Sequence, residues 1–167
     1  MEAIAAYLAK AKTVDLLAFS ELFPHYFLLK HPKRKTSLGP SPTPEFGFAT
    51  TQADVDYDPI PEIFQVACIK KKPGNPFPDR LTLGRATNCD VVLRLPFVSK
   101  VHAHLLIEPD GNLTLRDNNA LKGTAHNYRK LEPGSSREVQ PGDILGFGSL
   151  NLELADAARF YSVLRAL

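Results

Sequence analysis

From residue 63 to residue 154 the chain is cut into short apolar runs by turn-forming clusters, and this rhythm limits the fold more than any other feature. Residues 63–70 alternate, with Phe64, Val66 and Cys68 on one face and Ile63, Gln65, Ala67 and Ile69 on the other. A turn cluster follows at Lys72-Pro73-Gly74-Asn75-Pro76, and further runs fall at 81–84, 91–95, 103–107 and 113–115. Asp110-Gly111-Asn112 is a hairpin turn between the last two, and Pro141-Gly142-Asp143 is a turn before the runs 144–148 and 150–154. Runs this short cannot make amphipathic helices. Many strands separated by turns instead predict an all-β sandwich.

The flanks have a different character. Residues 2–12 are Ala-rich, with acid first and lysines last, which favours a helix. Thr13 is placed to cap a second helix carrying Leu16, Leu17, Phe19 and Leu22, and Pro24 should end it. The following His25-Tyr26-Phe27-Leu28-Leu29 is too apolar for a free tail. It is expected to pack on the sandwich or to mediate self-association with a second copy, the alternative being a docking peptide for another protein. Prolines then recur from Pro32 to Pro61 among Gly, Ser and Thr, which reads as a linker. Ala157, Ala158, Phe160, Tyr161 and Leu164 lie at helical spacing. The expected order is a helical extension at 1–30, a linker at 31–59, a sandwich at 60–155 and a closing helix at 156–167.

Hydrophobic residues make up 44% of the chain, enough for a packed core, and the net charge of +2 is too small to indicate a nucleic-acid binder. Cys68 and Cys89 do not form a disulfide framework, and no apolar run is long enough to cross a bilayer. With no signal peptide in view, a soluble, cytoplasmic protein is expected, with no membrane or nucleic-acid partner.

Chemistry concentrates at two junctions between predicted strands, Gly84-Arg85 and Ser99-Lys100-Val101-His102. Arginine offers a planar fork of donors, serine a hydroxyl and a backbone N–H, and lysine a point charge, so together they suit a phosphate. With Asn88-Cys89-Asp90, Asp117, Gly123-Thr124, Asn127 and Gly142-Asp143 in register, residues 60–155 closely resemble the forkhead-associated (FHA) domain.

The resemblance implies a β-sandwich whose loops bind phosphothreonine peptides without catalysis, cofactor or metal. It assigns phosphopeptide binding to Arg85, Ser99, Lys100, Lys122 and Asn127, and support of the binding loops to Gly84, His102 and Gly123. The partner would be a phosphothreonine-containing protein, either a Ser/Thr kinase or its substrate. Two departures stand out. The family usually reads Asp-x-x-Ser-x-Asn-Gly-Thr, where this chain has Ala120 for the serine and Lys122 for the asparagine. Each removes a hydrogen bond to the ligand, and one to a charged group is worth ~1.5–3 kcal/mol. The alternative function is therefore a phosphate-independent interaction or oligomerisation module on the same scaffold. Within the linker, Thr51 and Thr43 are candidate phosphorylation sites that could serve as ligands for the chain's own sandwich.

Overall fold

The computed structural model describes residues 2–31 and 65–167. The chain enters through a two-residue strand β1 (Glu2–Ala3) and the helices α1 (Ala5–Thr13) and α2 (Leu16–Leu22). The strands β2 (Tyr26–Lys30), β3 (Gln65–Ile69), β4 (Arg80–Gly84), β5 (Val91–Val92), β6 (Ala103–Ile107) and β7 (Leu113–Asp117) follow. Then come β8 (Thr124–His126), β9 (Arg129–Lys130), β10 (Ser136–Val139), β11 (Ile144–Phe147), β12 (Leu150–Ala155) and the closing helix α3 (Ala157–Arg165).

Among the described residues these strands form two sheets, ordered β1-β3-β2-β12-β11-β8-β9 and β10-β7-β6-β4-β5. All pairings are antiparallel except β4 with β5. In the five-stranded sheet, buried and accessible residues alternate along β6 and β7, because one face packs inward and the other meets water. The Asp110-Gly111-Asn112 turn joins these two strands, with the Asn112 amide donating to Asp110 Oδ1 at 3.0 Å.

The seven-stranded sheet is covered on both faces, which explains the apolar run at 27–29. Phe27, Leu28 and Leu29 are all fully buried in β2, which lies between β3 and β12. A strand buried on both sides has no polar face to show, so it loses alternation. Phe27 and Leu29 join Val66, Ala155, Ala11, Phe19, Phe160 and Leu164 in a cluster beneath the three helices. Leu28, one residue out of phase, points to the opposite face. The Phe27 and Phe160 rings stand 4.6 Å apart, and the Tyr161 hydroxyl donates to the Val14 carbonyl at 3.0 Å, tying α3 to the joint between α1 and α2.

Several expectations change. Residues 26–30 are an interior strand of the sandwich rather than part of a helical extension, so the sandwich does not start at residue 60. Asp15, not Thr13, caps α2, its Oδ1 accepting from the Ala18 amide at 2.9 Å, while the Thr13 hydroxyl donates back to the Lys10 carbonyl at 3.0 Å. The strand expected at 91–95 stops at Val92, because the Leu95 amide turns back to the Leu93 carbonyl ahead of Pro96. The linker expected at 31–59, with Thr43 and Thr51, lies outside the described residues apart from His31. No helix among the described residues is long and apolar enough to cross a membrane.

Candidate functional site

The loops after β4, before β6 and before β8 meet at one end of the sandwich. Gly84 makes the first contact possible. A β-carbon there would stand 2.9 Å from the Lys100 carbonyl carbon, nearer still to its oxygen, and 3.0 Å from the His102 nitrogen. Glycine alone lets the end of β4 run this close to the 99–102 backbone. The Arg85 amide then donates to the Ser99 carbonyl at 2.9 Å and the Ala86 amide to the Lys100 carbonyl at 3.0 Å.

His102 fastens the second loop to the third. Its Nδ1 accepts from the Ser99 amide at 3.1 Å, and its Nε2 faces the Gly123 carbonyl at 3.0 Å. Only the neutral ring protonated on Nε2 satisfies both. Burial pushes its pKa down, outweighing the Gly123 carbonyl and the Asp117 charge, and so favours that neutral form. Both ring nitrogens are engaged.

These contacts leave a defined set of groups facing outward. Arg85 is exposed, with Nε donating to the Val98 carbonyl at 3.1 Å, so one edge of the guanidinium is anchored and its terminal nitrogens remain available. The Ser99 hydroxyl oxygen accepts from the Leu121 amide at 3.1 Å, which leaves its proton for an acceptor outside. The Ser99 backbone N–H, by contrast, is occupied by His102 and is not offered to a ligand. Lys100 is exposed beside them.

The third loop, residues 118–123, hangs from Asp117, which is 2% exposed. Its carboxylate accepts from the Thr124 hydroxyl at 2.5 Å and the Gly134 amide at 3.0 Å. Burial alone would raise this carboxyl, but those bonds and the Ala120 and Asn119 backbone outweigh it and hold the pKa below the usual carboxylate range. At the tip, Leu121 is 87% exposed and Lys122 is also exposed. Asp90 plays the corresponding part under the first loop, its Oδ2 accepting from the Thr82 amide at 2.7 Å and from Asn75 Nδ2 at 2.6 Å.

Asn127 stands apart from this group. Its Oδ1 accepts from the Ile144 amide at 2.8 Å and its Nδ2 donates to Asp143 Oδ1 at 2.9 Å. Both ends of the carboxamide take part in strapping the β8–β9 turn to the turn before β11, which gives Asn127 a structural part in this loop.

One side chain carried no motif signal and yet lies at the site. Lys130, on β9, folds across Gly123, where a β-carbon would meet its Nζ at 3.1 Å and its Cε more closely. Its proximity comes from strand pairing, Ala125 opposite Lys130, and not from any local sequence pattern.

The family model of the FHA domain matches residues 81–148. This segment resembles the FHA family. No curated protein matches the chain. Among solved structures, the chain is similar to the N-terminal FHA domain of S. cerevisiae Rad53p in complex with a phosphothreonine peptide, at 24% identity and a TM-score of 0.48, covering 59% of this chain and 90% of that one. It is similar to the FHA domain of the CT664 protein from Chlamydia trachomatis at 17% identity and a TM-score of 0.47, covering 78% and 97%. It is also similar to Mycobacterium tuberculosis EmbR in complex with a low-affinity phosphopeptide, at 20% identity and a TM-score of 0.43. That match covers 48% of this chain, which spans only 20% of the EmbR chain.

Proposed function

We propose that this FHA domain is a non-enzymatic reader of phosphothreonine peptides downstream of a Ser/Thr kinase. One observation carries the reading: the Arg85 fork and the Ser99 hydroxyl are held side by side by the Arg85–Ser99 backbone bond, with Lys100 next in the chain. A dianionic phosphate meets a planar cation, a hydroxyl donor and an ammonium there, a set that gives charge-assisted hydrogen bonds. His102 supports binding over catalysis, since both its nitrogens are bonded to backbone and neither can relay a proton.

A second reading, a phosphate-independent interaction module, draws on Ala120, Lys122 and the exposed Leu121 at the tip of the third loop. Binding of a phosphothreonine peptide library, with the unphosphorylated peptides as control, separates the two. Under the first reading only phosphorylated peptides bind, and Arg85→Ala abolishes binding without moving the thermal midpoint. Equal capture of both peptide forms, unaffected by Arg85→Ala, would establish the second.

A further inference from the structure

We infer that this chain pairs with a second copy of itself through the end of the sandwich opposite the three loops, helix α2 of each copy docking against a cavity of the other. The inference does not depend on the phosphothreonine reading.

Where β3 ends and β4 begins, a cavity of about 260 Å³ opens between the sheets. Ile69 from one sheet and Leu81, Leu105 and Ile107 from the other give it an apolar lining. β4 runs from Arg80 beside this cavity to Gly84 at the loops, so about 13 Å of strand separates the two places. The apolar surface continues past the mouth. Ile107 is 53% exposed, and the half-exposed Phe77 ring lies 5.2 Å from the Arg80 guanidinium.

The mouth is basic. Arg80 is paired with Asp79 at 2.8 Å, and Lys71 is engaged by the Phe77 and Arg80 carbonyls. Lys70 is exposed, and among the described residues it forms no ion pair. An apolar surface bordered by an unpaired ammonium is complementary to an apolar element that carries acid.

Helix α2 has that chemistry. Leu17 is 72% exposed, Leu16 and Leu22 are also exposed, and Glu21 beside them forms no ion pair among the described residues. From Val14 to Pro24 the charged residues are Asp15 and Glu21, with no Lys or Arg among them. Five of the eight large apolar side chains exposed among the described residues fall on α2 or at the cavity mouth, so pairing these two patches covers most of that apolar surface.

α2 does not serve the cavity of its own chain. Phe19 is fully buried and packs on Phe160 and Tyr161, which holds the helix against α3. Yet only Phe23 and Pro24 separate Leu22 from His25 at the cavity, at most about 11 Å of chain. A surface that carries a patch and its complement this close together is self-complementary about a two-fold axis. Each α2 then meets the other copy's cavity, both contacts form at once, and the loops bearing Arg85 and Ser99 stay uncovered in both copies.

Light scattering of the full chain tests this. At about 100 μM, well above a micromolar Kd, the mass should be that of two chains, and it should fall towards one on dilution. Leu17→Gln on α2 and Ile107→Thr at the cavity should each weaken the dimer about tenfold or more, because a two-fold interface carries every substitution twice. Glu21→Lys and Lys70→Glu, at exposed positions with no ion pair to lose, should each weaken it severalfold. Mixed in equal amounts, these two variants should recover the wild-type dimer, since both reciprocal contacts then join opposite charges. Arg85→Ala should dimerise as the wild type does. A wild-type chain that stays monomeric at this concentration, as it would if a different protein covers these leucines, overturns the proposal. So does a dimer indifferent to Leu17→Gln and Ile107→Thr, a mixture of the two charge variants that stays monomeric, or a mass that grows past two chains.

Discussion

Gly84 and Lys100 are in backbone contact, the first passing so close under the second that no side chain fits between them. The peptide unit of Lys100 is thereby held against the end of β4, and the loop carrying Ser99 inherits the rigidity of the sheet. Gly84→Ala should push the two apart and cost affinity for phosphopeptide as well as about 1–3 kcal/mol of stability, the scale of an overpacked site. Denaturant melts and anisotropy on the same protein would check this. An alanine variant with wild-type stability would show that the 99–102 loop is free to yield.

The neutral state of His102 predicts a pH dependence of stability. Its folded pKa lies below the ordinary value of about 6.5, so below that pH the unfolded chain takes up a proton that the folded protein does not. Stability should therefore fall as pH drops from about 6.5 towards the folded pKa. His104 is also shifted down, first by burial and then by Arg80 and Arg116, and adds a slope of the same sign. His102→Asn should be less stable throughout but flatter as pH falls below about 6.5. An unchanged slope would mean that His102 is not the group responsible.

Asn127→Ala should separate structure from binding. With the strap to Asp143 and Ile144 gone, and with alanine forced into a φ of 49°, the variant should lose about 1–3 kcal/mol. Its affinity for phosphopeptide, measured well below its melting temperature, should match the wild type. A tenfold loss of affinity would return Asn127 to the ligand site.

Much of the sandwich is legible because β6 and β7 each show one face to water and keep their alternation, and because Asp110-Gly111-Asn112 marks the turn between them. The strand β2 is hidden for the opposite reason: Phe27-Leu28-Leu29 is buried on both faces and has no period to read. At the site, Gly84, Arg85, Ser99 and His102 stand out because a short motif holds each loop's chemistry. Lys130 does not, since only the pairing of β8 with β9 brings it over Gly123. The commitment of Asn127 to Asp143 spans 16 positions and likewise has no local signature.

The place of β2 predicts that a fragment beginning at residue 60 will not fold. It would keep β3 but lose β2, which among the described residues joins β3 to β12. It would also strip Phe160 and Leu164 of the Phe19 and Phe27 side chains that share their cluster. Circular dichroism of residues 60–167 should show no cooperative melt, whereas the full chain should show one. A cooperative melt of the fragment would demote β2 to an accessory strand.

Lys30 and Gln65 are partners across the β2–β3 ladder, so the two ends of the intervening sequence meet at a single point of this sheet. Such a point works as a socket: whatever sequence is plugged in between, its two ends are already fixed side by side, and doubling its length adds only about 0.6 kcal/mol of closure entropy. Segments could therefore be swapped there, for a short Asn-Gly turn or for a much longer insert, with every strand register kept.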